Sequence, residues 1–101
     1  MYRASTPTHR LGIPMSKNSL SDFLLTYADA DTGEIILEFT MKDVRFEDEH
    51  YFIVTLTQEQ TNKFSVGIAE VQMRVKGNNG RVIPSKVRYL DVHKVLNDEV
   101  L

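Results

Sequence analysis

No cysteine and no tryptophan occur in the 101 residues. The first absence removes disulfides, thiolate nucleophiles and thiolate metal sites together. The second, with Phe23, Tyr27, Phe39 and Phe52 on inward strand faces, leaves no visible stacking platform of the kind that sugar- and base-binding surfaces use. Long apolar runs are missing as well: a helix that spans a bilayer needs about 20 consecutive apolar residues, and the runs here are far shorter. The opening Met1-Tyr2-Arg3-Ala4-Ser5 leads into polar residues, so no secretory leader is expected. An excess of one charge is also lacking. Twelve Lys and Arg against 14 Asp and Glu give a formal net charge of -2, which supplies no basic field for nucleic acid. Neither internal repeats nor low-complexity segments interrupt the chain.

What remains is an ordinary globular composition, 42% hydrophobic and 26% charged, in a chain of single-domain length. One domain over residues 1–101 is expected, with enough apolar surface for a two-layer core. Strand patterns dominate. Phe23, Leu25 and Tyr27 share one face at period two. In "EIILEFTM", Ile35, Leu37, Phe39 and Met41 lie opposite Glu34, Ile36, Glu38 and Thr40. Phe52, Val54 and Leu56 form another face, and Ala69, Val71, Met73 and Val75 a fourth, with Glu70, Gln72 and Arg74 outside. Such alternation predicts half-buried antiparallel strands. Shorter strands are expected near Thr8–Ile13, at Val44–Phe46 and over Arg81–Asp91.

Register fixes two hairpins. In "VKGNNGRV" a three-residue loop, Asn78-Asn79-Gly80, places Val75 opposite Ile83, Val71 opposite Val87, Ala69 opposite Tyr89 and Glu70 opposite Arg88. A one-residue slip reverses every side chain. The loop requires a left-handed residue, which Gly80 supplies. Asp31-Thr32-Gly33 makes the same loop, pairing Leu25 with Phe39 and Phe23 with Met41. Thr57-Gln58-Glu59-Gln60 reads as a capping box that opens a short crossover helix, about Gln58 to Phe64, ended by Gly67. A second short helix is expected at Val92–Asn97. About seven short strands with one or two short helices predict a mainly β, antiparallel β-sandwich of Ig-like, Greek-key type; a partly open barrel is the alternative.

Chemistry is sparse. His9, His50 and His93 fall on three elements with no metal-type spacing, so solvated histidines at strand ends are expected. Glu47-Asp48-Glu49 lacks the spaced ligands of a calcium loop and reads as a solvated hairpin tip. There is no nucleophile elbow. Gly77-Asn78-Asn79-Gly80 joins two strands and is no phosphate loop. Glu34 and Glu38 are outward, solubilising carboxylates, and Tyr51 is a lone outer ring. No catalytic residue, metal, cofactor or enzymatic activity is expected.

The ends stand out. "MYRASTPTHRLGIP" reads as an extended arm over about residues 1–8, suited to adding to a neighbour's sheet edge. "DVHKVLNDEVL" concentrates apolar residues in a docking segment over about 92–101. Interface candidates are Tyr2 and Arg3 in the arm, Ile36, Ile53, Ile68 and Leu90 on outer faces, and Val95, Leu96, Val100 and Leu101 in the closing segment. These suit a homo-oligomer.

The order "STPTHRLGIP", "TLTQEQTNKFSVGIAEVQMRV", "VLNDEVL" resembles small proteins encoded in tailed phages and prophages, over nearly the whole chain. That group is similar in turn to the amino-terminal β-sandwich domain of phage baseplate upper proteins. Gly12 before Ile13-Pro14, and Val44-Arg45 in place of a small polar turn, depart from the pattern. The resemblance implies a virion structural or assembly protein of the baseplate, neck, tail or head fibre, located in the virion. It would act by protein–protein interaction with other virion proteins, without nucleic acid or membrane. A phage-encoded inhibitor of a host protein is the alternative, and a carbohydrate-binding module the less favoured one.

Overall fold

Apolar–polar alternation generates eight strands in a computed structural model that describes all 101 residues. They are β1 (Thr8–Gly12), β2 (Leu20–Asp29), β3 (Ile35–Thr40), β4 (Arg45–Phe46), β5 (Tyr51–Thr55), β6 (Gly67–Gly77), β7 (Val82–Pro84) and β8 (Arg88–Val92). One sheet has the order β1-β5-β4. The other runs β3-β2-β6, and β6 then carries both β7 and β8 along its far side. Every paired strand is antiparallel. The fold is an antiparallel β-sandwich, as expected, with eight strands in place of about seven.

The core forms where the two inner faces meet. Phe23, Leu25 and Tyr27 of β2 sit opposite Val75, Met73 and Val71 of β6, and all six are buried. From the other sheet come Phe52 and Val54, with Leu56 just beyond β5. The Phe23 ring meets Phe52 edge-on, centroids 4.9 Å apart. Tyr27 is held edge-on between Phe39 and Phe64, at 5.9 and 5.8 Å. Edge-to-face pairs add about 0.5–1.5 kcal/mol each to what burial contributes. Thr57 accepts from the Gln60 amide and the Gln60 side chain accepts from the Thr57 amide, so the capping box forms. The helix α1 (Gln58–Thr61) ends earlier than Phe64. It carries the chain from β5 to β6, between the sheets.

The second hairpin holds its register at the turn and slips beyond it; the first departs at the turn, where Asp29 bonds Glu34, and regains the expected register past a bulge. Gly33 and Gly80 have φ of +73° and +83°, the left-handed conformations that their loops require. Leu25 pairs with Phe39 as expected. Met41, however, lies in a 3-10 turn beyond β3. On the turn side of the Leu25–Phe39 pair a bulge leaves Ile36 unpaired, so that Tyr27 faces Leu37 while the adjacent Ala28 faces Ile35. The extra residue inverts the parity: Ile35 is exposed, and Ile36 leans on the core.

In the second hairpin Val75 pairs with Ile83 as expected. The register past Ser85 does not follow the expectation: Val71 faces Arg88, Ala69 faces Leu90 and Glu70 faces Tyr89. Pro84 sits opposite Arg74 at a non-hydrogen-bonded position and costs the ladder no donor; the break falls at Ser85. Its amide donates to the Met73 carbonyl at 2.8 Å, and its hydroxyl accepts from the Met73 amide at 3.1 Å. The chain bulges over Lys86–Val87 and re-enters one residue out of step. Leu90 therefore packs against the core, and Tyr89 faces solvent. The expected helix at Val92–Asn97 does not form; this stretch is extended and irregular.

Candidate functional site: the open flank between β1 and β8

The two sheets are stitched at one end by the amino-terminal residues. Met1 donates its terminal amine to the Asp91 carbonyl at 2.7 Å. The His93 amide donates to the Met1 carbonyl and the Arg3 amide to the His93 carbonyl. Met1–Arg3 thus forms a short parallel ladder on the outer edge of β8, with Tyr2 opposite His93. The arm was expected to add to a neighbour's sheet edge; here Met1–Arg3 adds to an edge of its own domain instead. Ala4, with φ of +56°, turns the chain away, and it crosses to β1 in the other sheet.

Beyond this crossing the flank is open. Ladder parity shows which groups are free. The Pro7 carbonyl accepts from Leu56, and the Ile13 amide donates to the His50 carbonyl. In an antiparallel ladder such pairs recur every second residue. His9 and Leu11 therefore bond to β5, and the main-chain groups of Thr8, Arg10 and Gly12 face away from it. Across the gap, Ala69 and Val71 bond to Leu90 and Arg88 by the same rule, which leaves Tyr89 facing outward.

Two contiguous cavities of about 330 and 290 Å³ occupy the gap. One end places Thr8–Leu11 against Arg88–Leu90 and the other places Leu11–Pro14 against Pro84–Arg88, so β1 and β8 run in opposite directions across the cleft. Its floor is apolar: Leu11, Leu25, Val71 and Met73. Its rim is cationic, with Arg10, Lys86 and Arg88, and no acidic side chain lines either part. In a chain with more acids than bases, such segregation gives the cleft a local positive potential. Arg10 is already engaged: its guanidinium lies 2.6 Å from Glu47 and 3.8 Å above the Tyr51 ring. Lys86 and Arg88 form no ion pair, because the chain has only the Arg10–Glu47 and Arg3–Asp98 pairs.

A buried polar pair closes the base of the cleft. His9 Nδ1 lies 2.7 Å from the Tyr27 hydroxyl. Burial holds the His9 imidazole below its ordinary pKa and raises that of the Tyr27 phenol. Both are therefore neutral at pH 7. His9 is thus not the solvated strand-end residue that its sequence suggested; His50 and His93 are exposed. No group of three or more His, Asp or Glu side chains comes together to hold a metal ion. The Glu47–Glu49 stretch forms a hairpin tip, where the Asp48 carboxylate accepts from the His50 and Tyr51 amides and is held below the usual carboxylate range by those bonds.

The interface candidates fall in different places. Tyr2, Ile68, Leu96, Val100 and Leu101 are exposed, while Ile53 and Val95 are half-buried. Ile36 and Leu90 pack on the core. Arg3 reaches inward, donating to the Asn62 carbonyl at 2.9 Å and pairing with Asp98 at 3.2 Å. Of the residues that line the cleft, Leu90 alone was among the candidates. Lys86 and Arg88 reach the rim through the register slip that follows Ser85, which no local motif marks.

No family model matches the chain, and no curated protein matches it. Among solved structures it is similar to CopC from Methylosinus trichosporium OB3b, with a TM-score of 0.58 and 15% identity over 95% of this chain and 85% of that one. CopC is not a phage protein, and this finding overturns the expected kinship with phage and prophage proteins. With it fall the virion role, the baseplate, tail and head-fibre placements, and the phage-encoded inhibitor. At 15% identity the likeness establishes the fold: the chain is an antiparallel β-sandwich of the CopC kind.

Proposed function

We propose that the protein is a non-enzymatic binding module whose working surface is the β1–β8 cleft, and that it takes an extended polypeptide carrying acidic and apolar side chains. The carrying observation is the composition of the cleft: an apolar floor, cations at the rim, no acid, and free main-chain groups of β1 along one wall. An added strand takes affinity from main-chain hydrogen bonds and specificity from alternate side chains. Here one set of side chains meets the floor and the other meets Lys86 and Arg88. The non-enzymatic reading is supported by the engagement of the polar groups. Ser85 accepts from Met73 and donates to the Lys86 carbonyl, and the Tyr27 hydroxyl is bonded to His9.

The test is a calorimetric titration with two synthetic peptides, one alternating glutamate and valine, the other lysine and valine. The glutamate peptide should bind, more weakly at high salt, and the double variant Lys86→Glu, Arg88→Glu should lower its affinity at least about tenfold. Equal binding of both peptides, or no response to charge reversal, would contradict the proposal.

A further inference from the structure

The segment Val95–Leu101, "VLNDEVL", has the chemistry that the cleft selects: two adjacent carboxylates, Asp98 and Glu99, flanked by Val95, Leu96, Val100 and Leu101. On its own domain its two leucines have found no apolar partner. Leu96 and Leu101 are 99% and 103% exposed, and none of its apolar side chains packs on the core cluster. Polar tethers to α1 hold it. The Asn62 side chain donates to the Asp98 carbonyl at 2.8 Å. The Gln58 amide group bonds the Leu101 main chain in both directions, at 2.8 and 3.3 Å. Arg3 pairs with Asp98 in the same joint, where Arg3 Nε and Asn62 Oδ1 are buried without partners.

We infer that this segment occupies the β1–β8 cleft of a second copy of the chain, so that the protein associates with itself. The inference rests on the cleft being a binding surface, as proposed above. Charge complementarity carries it: the side chains of Asp98 and Glu99 point to opposite sides of an extended segment, so either facing presents a carboxylate to the unpaired Lys86 and Arg88, and the exposed Leu96, Val100 and Leu101 bring apolar surface to an apolar floor. A reciprocal exchange closes a twofold dimer; a one-way exchange builds longer assemblies.

Sedimentation equilibrium of the full chain, from about 1 µM to about 1 mM, tests this over the range of weak and moderate association. The average mass should rise above the 11.6 kDa of one chain. The variant Lys86→Glu, Arg88→Glu and the variant Asp98→Lys, Glu99→Lys should each weaken association at least about tenfold. An equimolar mixture of the two should regain it, because the reversed charges again match. Circular dichroism of each variant checks that the sandwich persists, and the mixture supplies the control that a misfolded variant fails. A wild-type chain that stays monomeric at about 1 mM, or a mixture that associates no better than either variant alone, overturns the inference. If the chain is monomeric yet the glutamate–valine peptide binds the cleft, the binding reading stands and self-association falls.

Discussion

The contact between β2 and β6 and the flank between β1 and β8 use the same residue types and reach opposite outcomes. At the centre, Phe23 to Asp29 pair with Val75 to Ala69 without a break, and each inward side chain is buried. Both strands have neighbours on each side, so their main-chain groups are satisfied. On the flank, Pro84 ends one short strand, Ser85 bridges the gap, and β8 resumes one residue out of step. The edge is capped only from Asp91 to His93, by the amino-terminal residues. Continuity of register builds a scaffold; interruption of register leaves main-chain groups and cations available to a ligand.

That contrast can be broken first at the centre. Leu25 is fully buried on β2, so Leu25→Ala should destabilise by about 2–5 kcal/mol, read by urea unfolding, as expected for a truncated core leucine. The flank answers a finer question. Because of the slip at Ser85, Leu90 rather than Tyr89 faces the core. Leu90→Ser should cost about 1–2 kcal/mol for a half-buried leucine, while Tyr89→Ser should stay within about 0.5 kcal/mol, the range of surface changes. The reverse order would restore the unslipped register.

The smallest expected effect is on pH dependence. Burial lowers the His9 pKa below its ordinary 6.5, so below that value the unfolded chain takes up the proton more readily than the folded one. The His9 contribution to stability is therefore complete above about pH 6.5 and is lost as pH falls through the depressed value. Thermal melts between about pH 7 and pH 5 should show a smaller loss of stability for His9→Gln than for the wild type. An equal loss would mean that His9 is not buried against Tyr27.

The sandwich was legible because alternation at period two carries it. The faces of Phe23–Tyr27, Phe52–Leu56 and Ala69–Val75, the turns at Gly33 and Gly80 and the Thr57 capping box all follow from short-range chemistry. The bulge at Ile36 and the slip at Ser85 were not legible. A bulge exchanges one residue's pairing for twist, and the neighbouring strand decides where that occurs. The helix expected at Val92–Asn97 failed because β8 extends through Val92 and the arm pairs onward to His93. The His9–Tyr27 pair joins residues 18 positions apart on different sheets, which no local pattern encodes. The cleft itself depends on where two edges end, and on Lys86 and Arg88 reaching its rim through the slip.

Amide hydrogen exchange measured residue by residue, with and without the glutamate–valine peptide, tests the division between scaffold and working edge most directly. Leu24 and Thr26, whose amides bond to β6 by the parity that places Ala30 on Ile68, should exchange only on global unfolding. The amides of Thr8, Arg10 and Gly12 should exchange freely in the unliganded chain and slow when the peptide saturates the cleft. Strong protection of those three amides in the unliganded protein, or no slowing at saturation, would contradict the account.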